Sequence, residues 1–422
     1  MTIELLKSIF KRILIILPIA LVTGAIVGLF LTLLNAAIHF RFEHPWILYL
    51  LPAAGLLIHL VYHISGKSLE KGNDLIISEI HVPAKGIPAL MAPVIFITTI
   101  LTHLFGGSAG REGTAVQIGG SIAGTFARWF KLEQDDVTLL LSAGMAAGFG
   151  AVFGTPITGA IFAAEVLFLG KLKYTIIPYT LLASFAADYT VKLLNVHHTG
   201  YAIDKLDTPL LFTVTSLVYF AVLIVKIVFA AVVFGLASFL FIEFMHRLKS
   251  AFLSAVEKQW LIPVIGGFVI IILSLLTGKP DYLSLGVDPQ YPEAVTISSA
   301  FKAGGAETWS WIWKIIYSTI TLGTGFKGGE VTPLFYIGAT LGNTLSVWMN
   351  APVSLFAALG FIAVFAGATK TPLSCTIMGA ELFGAHFILL FALACFIAYV
   401  CSGKKGIYKA QKRSDTVNVS DL

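Results

Sequence analysis

Long apolar stretches that recur along the whole chain constrain this sequence more than any other feature. A helix needs roughly 20 predominantly apolar residues to cross the hydrocarbon core of a bilayer. Apolar stretches able to do so lie at residues 10–34, 46–62, 87–105, 211–243, 261–276 and 382–401. Only 12% of the 422 residues are charged, whereas soluble domains carry about 25%. The chain is therefore predicted to be an all-α polytopic membrane protein.

Three further apolar segments are interrupted by glycine, proline, serine and threonine, at residues 114–130, 137–168 and 333–368. Irregular backbone at membrane depth is tolerated only where protein or a water-filled cavity covers it. These segments therefore predict short, tilted or discontinuous helices. The first apolar stretch is too long for a signal peptide and has no evident small-residue cleavage site, so we interpret it as a retained first span.

Basic residues flank the spans, and the net charge is +5. Lysine and arginine favour the cytoplasmic side, so Lys7, Lys11 and Arg12 at one end and the basic residues after 403 at the other predict two cytoplasmic termini. Membrane flanks explain these charges, and no nucleic-acid partner is predicted. We expect one transmembrane domain over residues 1–422, with a short cytoplasmic tail from 403 and no appended regulatory domain.

Three cysteines, Cys375, Cys395 and Cys401, all lie late in the chain in apolar segments. Their spacing matches neither a zinc site nor a disulfide framework. We therefore predict that they are small core residues, and we predict no metal and no cofactor.

Two pairs of segments resemble each other at nearly one separation. In "GFGAVFGTPITGAIFAAEVLF" and "FIAVFAGATKTPLSCTIMGAELF", Pro156 aligns with Pro372, and the same offset aligns Glu165 with Glu381. The segments "GREGTAVQIGGSIAG" and "GEVTPLFYIGATLG" align at an offset that is only slightly larger. Ordered matches of this kind predict a duplicated domain with approximate halves 10–200 and 210–402. Transporters built from such repeats bind substrate at the repeat interface.

An adjacent arginine and glutamate, Arg111 and Glu112, stand in a glycine-rich turn inside this oily chain. Ionisable groups within a membrane are costly and usually face a cavity or a partner. If the following segment is helical, the turn lies at a helix N-terminus, where free N–H groups and a positive partial charge attract anions. Glu112 would then occupy the anion site when ionised and leave it when protonated. A structural Arg–Glu pair is the alternative, and the residues alone leave both open.

Two more glycine-rich turns precede apolar runs. "TLGTGFKGGEVTP" contains Lys327, Glu330 and Thr332, and "KGNDLIISEI" places Asn73 directly after Gly72. Three such turns, each entering a helix, could converge on one desolvated anion. For Glu330 the alternative is a helix cap, and for Asn73 it is also helix capping. Lys327 stays open between a charge lining the ion pathway and a membrane flank.

These motifs resemble those of the CLC family of anion channels and proton-coupled exchangers. The family signature Gly-Arg-Glu-Gly-Pro reads Gly110 to Thr114 here, followed by a Gln-Ile-Gly step from Gln117. The late Gly-x-Phe-x-Pro motif reads Gly329 to Pro333, and the Pro-Leu-Ala-Gly helix start reads Pro156 to Gly159. The resemblance runs in order over most of the chain. It implies a CLC-type inverted repeat of discontinuous tilted helices and a homodimer in lipid.

The departures from the family pattern point to one branch. Thr114 replaces the usual proline, Asn73 replaces the central serine, and Val331, preceded by Glu330, replaces the late phenylalanine. These changes are similar to those of the bacterial fluoride/proton antiporters. The internal proton-accepting glutamate of chloride/proton exchangers falls on Val166, which argues against ordinary chloride/proton exchange.

The resemblance also implies roles for individual residues. Glu112 is expected to be the gating and proton-coupling glutamate. Tyr408 matches the family's central tyrosine, with an interfacial aromatic as the alternative. The expected anion-binding residues are Asn73, Gly110, Arg111, Gly113, Thr114, Glu330, Val331, Thr332 and Tyr408.

The predicted function is export of fluoride in exchange for protons across the plasma membrane. A chloride-selective channel or chloride/proton exchanger is the alternative. An intramembrane enzyme would need an acid–base constellation on facing helices, and the sequence suggests none. We therefore expect an ion transporter and not an enzyme.

Overall fold

The computed structural model describes residues 3–204 and 214–413 and is built almost entirely of helices. Eight α-helices form the first half of the chain. They are α1 (Ile3–Glu43), α2 (Leu51–Ser65), α3 (Asn73–His81), α4 (Met91–Leu104), α5 (Glu112–Trp129), α6 (Gln134–Phe153), α7 (Pro156–Glu165) and α8 (Ile177–Leu193).

The second half repeats this order after a link whose residues 205–213 lie outside the described part. Its helices are α9 (Val214–Ala255), α10 (Leu261–Thr277), α11 (Ile297–Ala300), α12 (Ser310–Gly323), α13 (Val331–Met349), α14 (Val353–Thr369), α15 (Pro372–Phe383) and α16 (Ile388–Cys401). Short 3-10 helices lie at Pro45–Leu50, Lys67–Lys71, Tyr174–Ile176 and Ala385–Phe387, and two-residue strands at β1 (Phe168–Leu169) and β2 (Lys412–Arg413).

Four helical stretches in the described ranges are long and apolar enough to cross a membrane: Lys7–Glu43, Pro45–Ser65, Gln134–Phe153 and Val218–Ala255. Two of the three interrupted segments, 137–168 and 333–368, are discontinuous, whereas 114–130 forms most of the single unbroken helix α5. The segment 137–168 breaks between α6 and α7, where Gly154 adopts a left-handed φ of 71° and Pro156 starts the next helix. Proline suits the first helical position because the N–H it lacks would have no partner there.

The duplication extends to helix boundaries. The difference in residue number between α4 and α12 is the same for their first residues and for their last residues. The first residues of α5 and α13 differ by the same number. The starts of α7 and α15 lie slightly closer together in the sequence, because α14 has 17 residues whereas α6 has 20. The predicted repeat and the all-α membrane fold are therefore confirmed at the level of individual helices.

The two halves meet at a pair of equivalent glycines. The Gly110 amide donates to the Gly329 carbonyl at 2.6 Å, and the Gly329 amide donates to the Gly110 carbonyl at 2.7 Å. This bridge is antiparallel, so the chain passes through the two equivalent turns in opposite directions. That arrangement is what an inverted repeat requires.

A reciprocal pair of carboxylates joins the halves a second time. Glu165, at the end of α7, accepts hydrogen bonds from the Leu373 amide (2.9 Å) and from the amide and hydroxyl of Ser374 (2.7 and 2.5 Å), at the start of α15. Glu381, near the end of α15, accepts from the equivalent amides of α7 and from the Thr158 hydroxyl, at 2.6 to 3.0 Å. Each acid therefore caps the helix of the other half.

Close helix crossings require glycine at two equivalent places. A Cβ on Gly119 of α5 would collide with the backbone of Gly144 in α6, and a Cβ on Gly338 of α13 would collide with the backbone of Gly360 in α14. In membranes, small residues let helix backbones approach closely. These crossings fix α5 and α13, and hence the two helix N-termini that face each other at the centre.

The reciprocal caps predict equal losses of stability in the two halves. Replacing Glu165 or Glu381 by Gln removes the negative charge from a helix N-terminus and weakens hydrogen bonds to a charged acceptor, each of which is worth about 1.5–3 kcal/mol. We expect both variants to lower the thermal unfolding temperature in detergent by a similar amount. Glu133→Gln is the control, because Glu133 is exposed and its side chain makes no cap bond to α6. A large loss at only one of the two acids would contradict the reciprocal arrangement.

Candidate functional site

Glu112, the first residue of α5, is 1% exposed and turns its carboxylate towards the other half of the protein. Its Oε2 accepts hydrogen bonds from the Arg111 amide at 3.0 Å and the Thr332 amide at 3.1 Å. Its Oε1 accepts from the Thr332 hydroxyl at 2.5 Å. Three donors thus hold this buried carboxylate, and two of them come from Thr332.

The carboxylate of Glu112 lies at the N-terminus of α13, a position with the chemistry of an anion site. Free N–H groups and the helix dipole favour negative charge there. Glu330 is the N-cap residue of α13 by position, yet its side chain makes no cap hydrogen bond among the described residues. The interpretation of Glu330 as a helix cap is therefore wrong, since Glu112 from the other half provides the charge at this N-terminus.

Arg111 stands beside this carboxylate without a close pairing. Its Nε lies 3.8 Å from Glu112 Oε1, which is an ion-pair distance rather than a hydrogen bond. In the described part of the chain that Nε is buried and has no hydrogen-bond partner. Arg111 therefore adds positive potential at the site and keeps an unused N–H donor.

The glycines of the motif let three turns approach one point. A Cβ on Gly113 would lie 3.1 Å from both the Asn73 Nδ2 and the Gly329 Cα, and 3.5 Å from Glu330 Oε2. A Cβ on Gly110 would lie 2.6 Å from Glu112 Oε2. The structure therefore brings together the start of α3, the start of α5 and the turn before α13.

Asn73, Glu330 and Tyr408 form the other side of this centre. Asn73 and Tyr408 are 8% and 9% exposed, and the Asn73 side chain lies within hydrogen-bonding reach of the Tyr408 hydroxyl. Among the residues described, Asn73 Oδ1 and Glu330 Oε2 are buried atoms without a hydrogen-bond partner. In the described part of the chain, no side chain caps the N-terminus of α3. The Asn73 side chain therefore does not cap this helix, contrary to the alternative interpretation.

The segment that carries Tyr408 folds back into the protein. The Ile407 amide donates to the Ala368 carbonyl at 2.9 Å, and the Ala410 amide donates to Asp74 Oδ1 at 3.0 Å. In addition, β2 pairs with β1 in parallel. Residues 403–413, expected to be a tail, are thus tied to both halves; residues 414–422 of that tail lie outside the described part.

Two of the predicted anion-binding residues contribute less directly. The Thr114 hydroxyl pairs with that of Thr99 at 2.7 Å, so this side chain is engaged away from Glu112. Val331 is a buried apolar residue at the start of α13, and its side chain offers no hydrogen bond to an anion.

Lys327, whose role the sequence leaves open, lies at a different cavity. Its Nζ is 4.1 Å from the ring centroid of Tyr62. The same cavity is lined by His59, Glu70 and Lys249. Lys327 is therefore not one of the groups that surround Glu112.

A cavity with aromatic walls reaches Glu112. Arg111, Glu112 and Thr332 line it, together with Phe335 and Phe361, whose rings stack with centroids 3.8 Å apart. A second cavity shares residues 111, 199 and 287 with the first and lies among the end of α1 and the loop 280–296. The sequence predicts none of these aromatic contacts.

Two further observations bear on the chemistry. Val166 is buried and apolar, and its neighbour Glu165 is committed to the start of α15, so neither residue offers a free carboxylate as a proton acceptor. Within residues 3–204 and 214–413, no group of three or more histidine, cysteine or acidic residues could hold a metal ion.

Comparison with known proteins identifies the family. The family model for voltage gated chloride channels matches residues 53–403, which is well over half of the sequence. The chain therefore belongs to this family, the CLC proteins, and is a multi-pass membrane protein for anion and proton transport rather than an enzyme.

Individual relatives are consistent with this assignment. A chloride/fluoride channel protein of Pseudomonas syringae pv. tomato is 41% identical over 410 residues, covering 97% of this chain and 88% of the relative. The crystal structure of a CLC-type fluoride/proton antiporter has a TM-score of 0.88 at 31% identity, covering 98% of this chain and 100% of the other. A slow cyanobacterial Cl⁻/H⁺ antiporter shares the fold, with a TM-score of 0.76 at 18% identity and coverages of 94% and 96%.

The contact between Thr332 and Glu112 predicts a specific defect. Thr332→Val keeps the shape and the backbone donor but removes the hydroxyl bonded at 2.5 Å. A hydrogen bond to a charged group is worth about 1.5–3 kcal/mol, and each 1.4 kcal/mol is about tenfold. We expect anion efflux from proteoliposomes to fall by about tenfold or more, because the carboxylate and any anion that replaces it lose the same donor.

The matched control for this experiment is Thr332→Ser, which keeps the hydroxyl and loses only the methyl group. We expect its efflux rate to stay within about threefold of the wild-type rate. Equal rates for the valine and serine variants would show that the hydroxyl contributes little to transport.

Proposed function

We propose that this protein exports fluoride from the cytoplasm in exchange for protons, with Glu112 as the coupling residue. The observation that carries the proposal is the position of the Glu112 carboxylate at the N-terminus of α13, held by the Arg111 amide and by both donors of Thr332. A site that holds a carboxylate in this way can also hold a small anion.

Competition for these donors couples the two ions. The ionised carboxylate and fluoride both carry one negative charge and need the same N–H and O–H groups. Protonation neutralises Glu112 and weakens its hold on the site, so that fluoride can take its place. The proton comes from outside the cell; when fluoride leaves to the outside, the carboxylate releases this proton to the cytoplasm and returns to the site. One side chain thereby links each movement of anion to a movement of proton in the opposite direction.

The groups around the site fit fluoride better than a larger halide. Fluoride is small and strongly hydrated, and its desolvation must be offset by several close donors. The Asn73 amide, the Tyr408 hydroxyl and the Thr332 hydroxyl can supply them. The name of the solved antiporter supports the same ion, and the name of the Pseudomonas relative includes it beside chloride. Proton coupling gives fluoride export a driving force beyond the membrane potential.

The proposed orientation follows from charge. The first turns of α1 carry Lys7, Lys11 and Arg12, and Lys405 lies 3.9 Å from Glu243 of α9. Because lysine and arginine favour the cytoplasm, we propose that both termini and the Tyr408 side of the site face the inside of the cell, at the plasma membrane. The cavity lined by Arg111 and Glu112 then faces outward. We also extend the proposal to one transmembrane domain that forms a homodimer in lipid, as the family resemblance implies.

Chloride transport is the second candidate, because the Pseudomonas relative is named for both ions. Val166 argues against a chloride/proton exchanger with an internal glutamate at that position. The two candidates differ in selectivity and in coupling, and a transport assay separates them.

The test is efflux of fluoride or chloride from proteoliposomes, with external pH recorded in parallel. We expect wild-type protein to release fluoride at least about tenfold faster than chloride and to take up external protons in a fixed ratio to fluoride. Glu112→Gln should abolish exchange, because the neutral amide keeps the shape but cannot carry the proton. Glu257→Gln, at an exposed acid, should behave as wild type.

Chloride efflux as fast as fluoride efflux would overturn the fluoride assignment. Fluoride efflux without proton uptake would overturn the coupling. Proton-coupled exchange that survives in Glu112→Gln would overturn the role of this residue.

A further inference from the structure

The link between the two halves enters the protein interior. Connecting segments normally run over the surface, but residues 196–204 contribute His198, Thr199 and Tyr201 to the cavity that reaches Glu112. The sequence marks this stretch only as a polar break between the repeats. On the proposed function, this link lines the route by which fluoride leaves the protein.

Two anchors hold the link in this position. The Tyr201 ring packs against Phe301 and Phe361, with centroid distances of 5.4 and 5.5 Å. The Thr199 hydroxyl donates to Asp288 Oδ2 at 3.0 Å. Aromatic pairs of this geometry are worth about 0.5–1.5 kcal/mol beyond the area they bury. The neighbouring residue, His198, is therefore presented to the cavity by an anchored backbone.

His198 packs against the break between α6 and α7. A Cβ on Gly154 would lie 2.5 Å from the His198 Cδ2, so the glycine that permits the left-handed turn also makes room for the imidazole. Among the described residues, His198 Nε2 is a buried atom without a hydrogen-bond partner, and so is Arg111 Nε. Both residues line the same cavity as Glu112, and Arg111 Nε lies 3.8 Å from Glu112 Oε1.

The surroundings of His198 keep the ring neutral. Burial, and after it the positive charges of Arg111, Lys192 and His197 when protonated, lower the pKa of His198 to about 4. A neutral imidazole carries one N–H donor and one acceptor. Beside a guanidinium, a bound anion selects the tautomer whose Nε2 carries the proton. The ring is thus suited to donate a hydrogen bond to an anion and poorly suited to store a proton.

We propose that His198 and Arg111 form a second anion contact on the outer side of Glu112, where fluoride is held by the His198 Nε2–H and the Arg111 Nε–H as it leaves the central site. This inference rests on the proposed function for the identity of the ion. The contact offsets part of the desolvation of fluoride between the Thr332 donors and the outer cavity. It also assigns the link between the halves a direct part in transport.

Two variants of His198 separate an anion contact from the other roles of a histidine. His198→Gln keeps an N–H donor near the Nε2 position but cannot relay a proton, whereas His198→Leu keeps bulk and removes the donor. Fluoride efflux and proton uptake are measured in proteoliposomes at several external pH values, with His63→Leu, at an exposed histidine of α2, as control. Thermal unfolding in detergent is recorded for every variant.

We expect His198→Leu to slow fluoride efflux about tenfold with an unchanged ratio of protons to fluoride, and His198→Gln to stay within about threefold of wild type. If the leucine and glutamine variants are equally slow, the N–H donor kept by glutamine does not restore transport, and the anion contact is overturned. If the leucine variant is as fast as wild type, the ring serves packing alone and the proposal is also overturned. If the leucine variant unfolds, the glutamine variant decides, because a slow but stable His198→Gln contradicts an anion contact.

Measurements on wild-type protein test the proposed function, and the comparison of the His198 variants with wild type tests the outer anion contact. If wild-type protein prefers chloride, the fluoride assignment fails, and the same His198 series run with chloride still shows whether the side chain contacts the anion. If wild-type protein exchanges fluoride for protons and the His198 series gives no difference, the proposed function stands and the outer contact fails.

Discussion

The structure depends on how one buried carboxylate, that of Glu112, is held inside an apolar fold. A buried charge is prohibitively costly unless it is paired and hydrogen-bonded. Glu112 meets this requirement with donors from the other half of the chain, above all the amide and hydroxyl of Thr332. The two halves must therefore stay in a fixed register. The exchanged hydrogen bonds between Gly110 and Gly329 hold that register directly beside the carboxylate.

In three places a glutamate carboxylate lies at a helix N-terminus of the other half, but the three glutamates do not have the same role. Glu165 and Glu381 each accept three hydrogen bonds at a helix N-terminus of the other half, and Glu112 likewise lies at one. Those two acids are related by the repeat and join the halves. Glu112 has no such counterpart, because the repeat places Val331 at the equivalent position and Glu330 opposite Arg111. Glu165 and Glu381 join the two halves, whereas Glu112, which has no counterpart in the repeat, lines a cavity; on the proposed function, an anion replaces its carboxylate there.

The fold and the central motif can be predicted from the sequence because both depend on residues that are recognisable in short local patterns. The repeat is visible in glycine and proline positions, and Glu112 is visible as a charge among glycines. The partners of Glu165 and Glu381 could not be predicted, because backbone amides belong to nearly every residue and the contacts join positions in different halves of the chain. The entry of His198 and Tyr201 into the cavity escapes prediction for a related reason. A polar link between two apolar halves is ordinarily a surface loop, and only the packed aromatic rings show otherwise.

The charges around the inner side of the site limit how fluoride can occupy it. Glu330, with a buried Oε2 that has no hydrogen-bond partner among the described residues, lies beside Asn73 and Gly113, and Glu112 is close by. Two ionised carboxylates and an anion cannot share such a space, since like charges disfavour one another's charged forms. On the proposed function, at least one of these acids must be protonated when fluoride is bound inside. A protonated carboxyl group is then itself a donor, and a short O–H···F⁻ bond stabilises fluoride more than the larger chloride, so proton coupling and anion selectivity arise from the same proton.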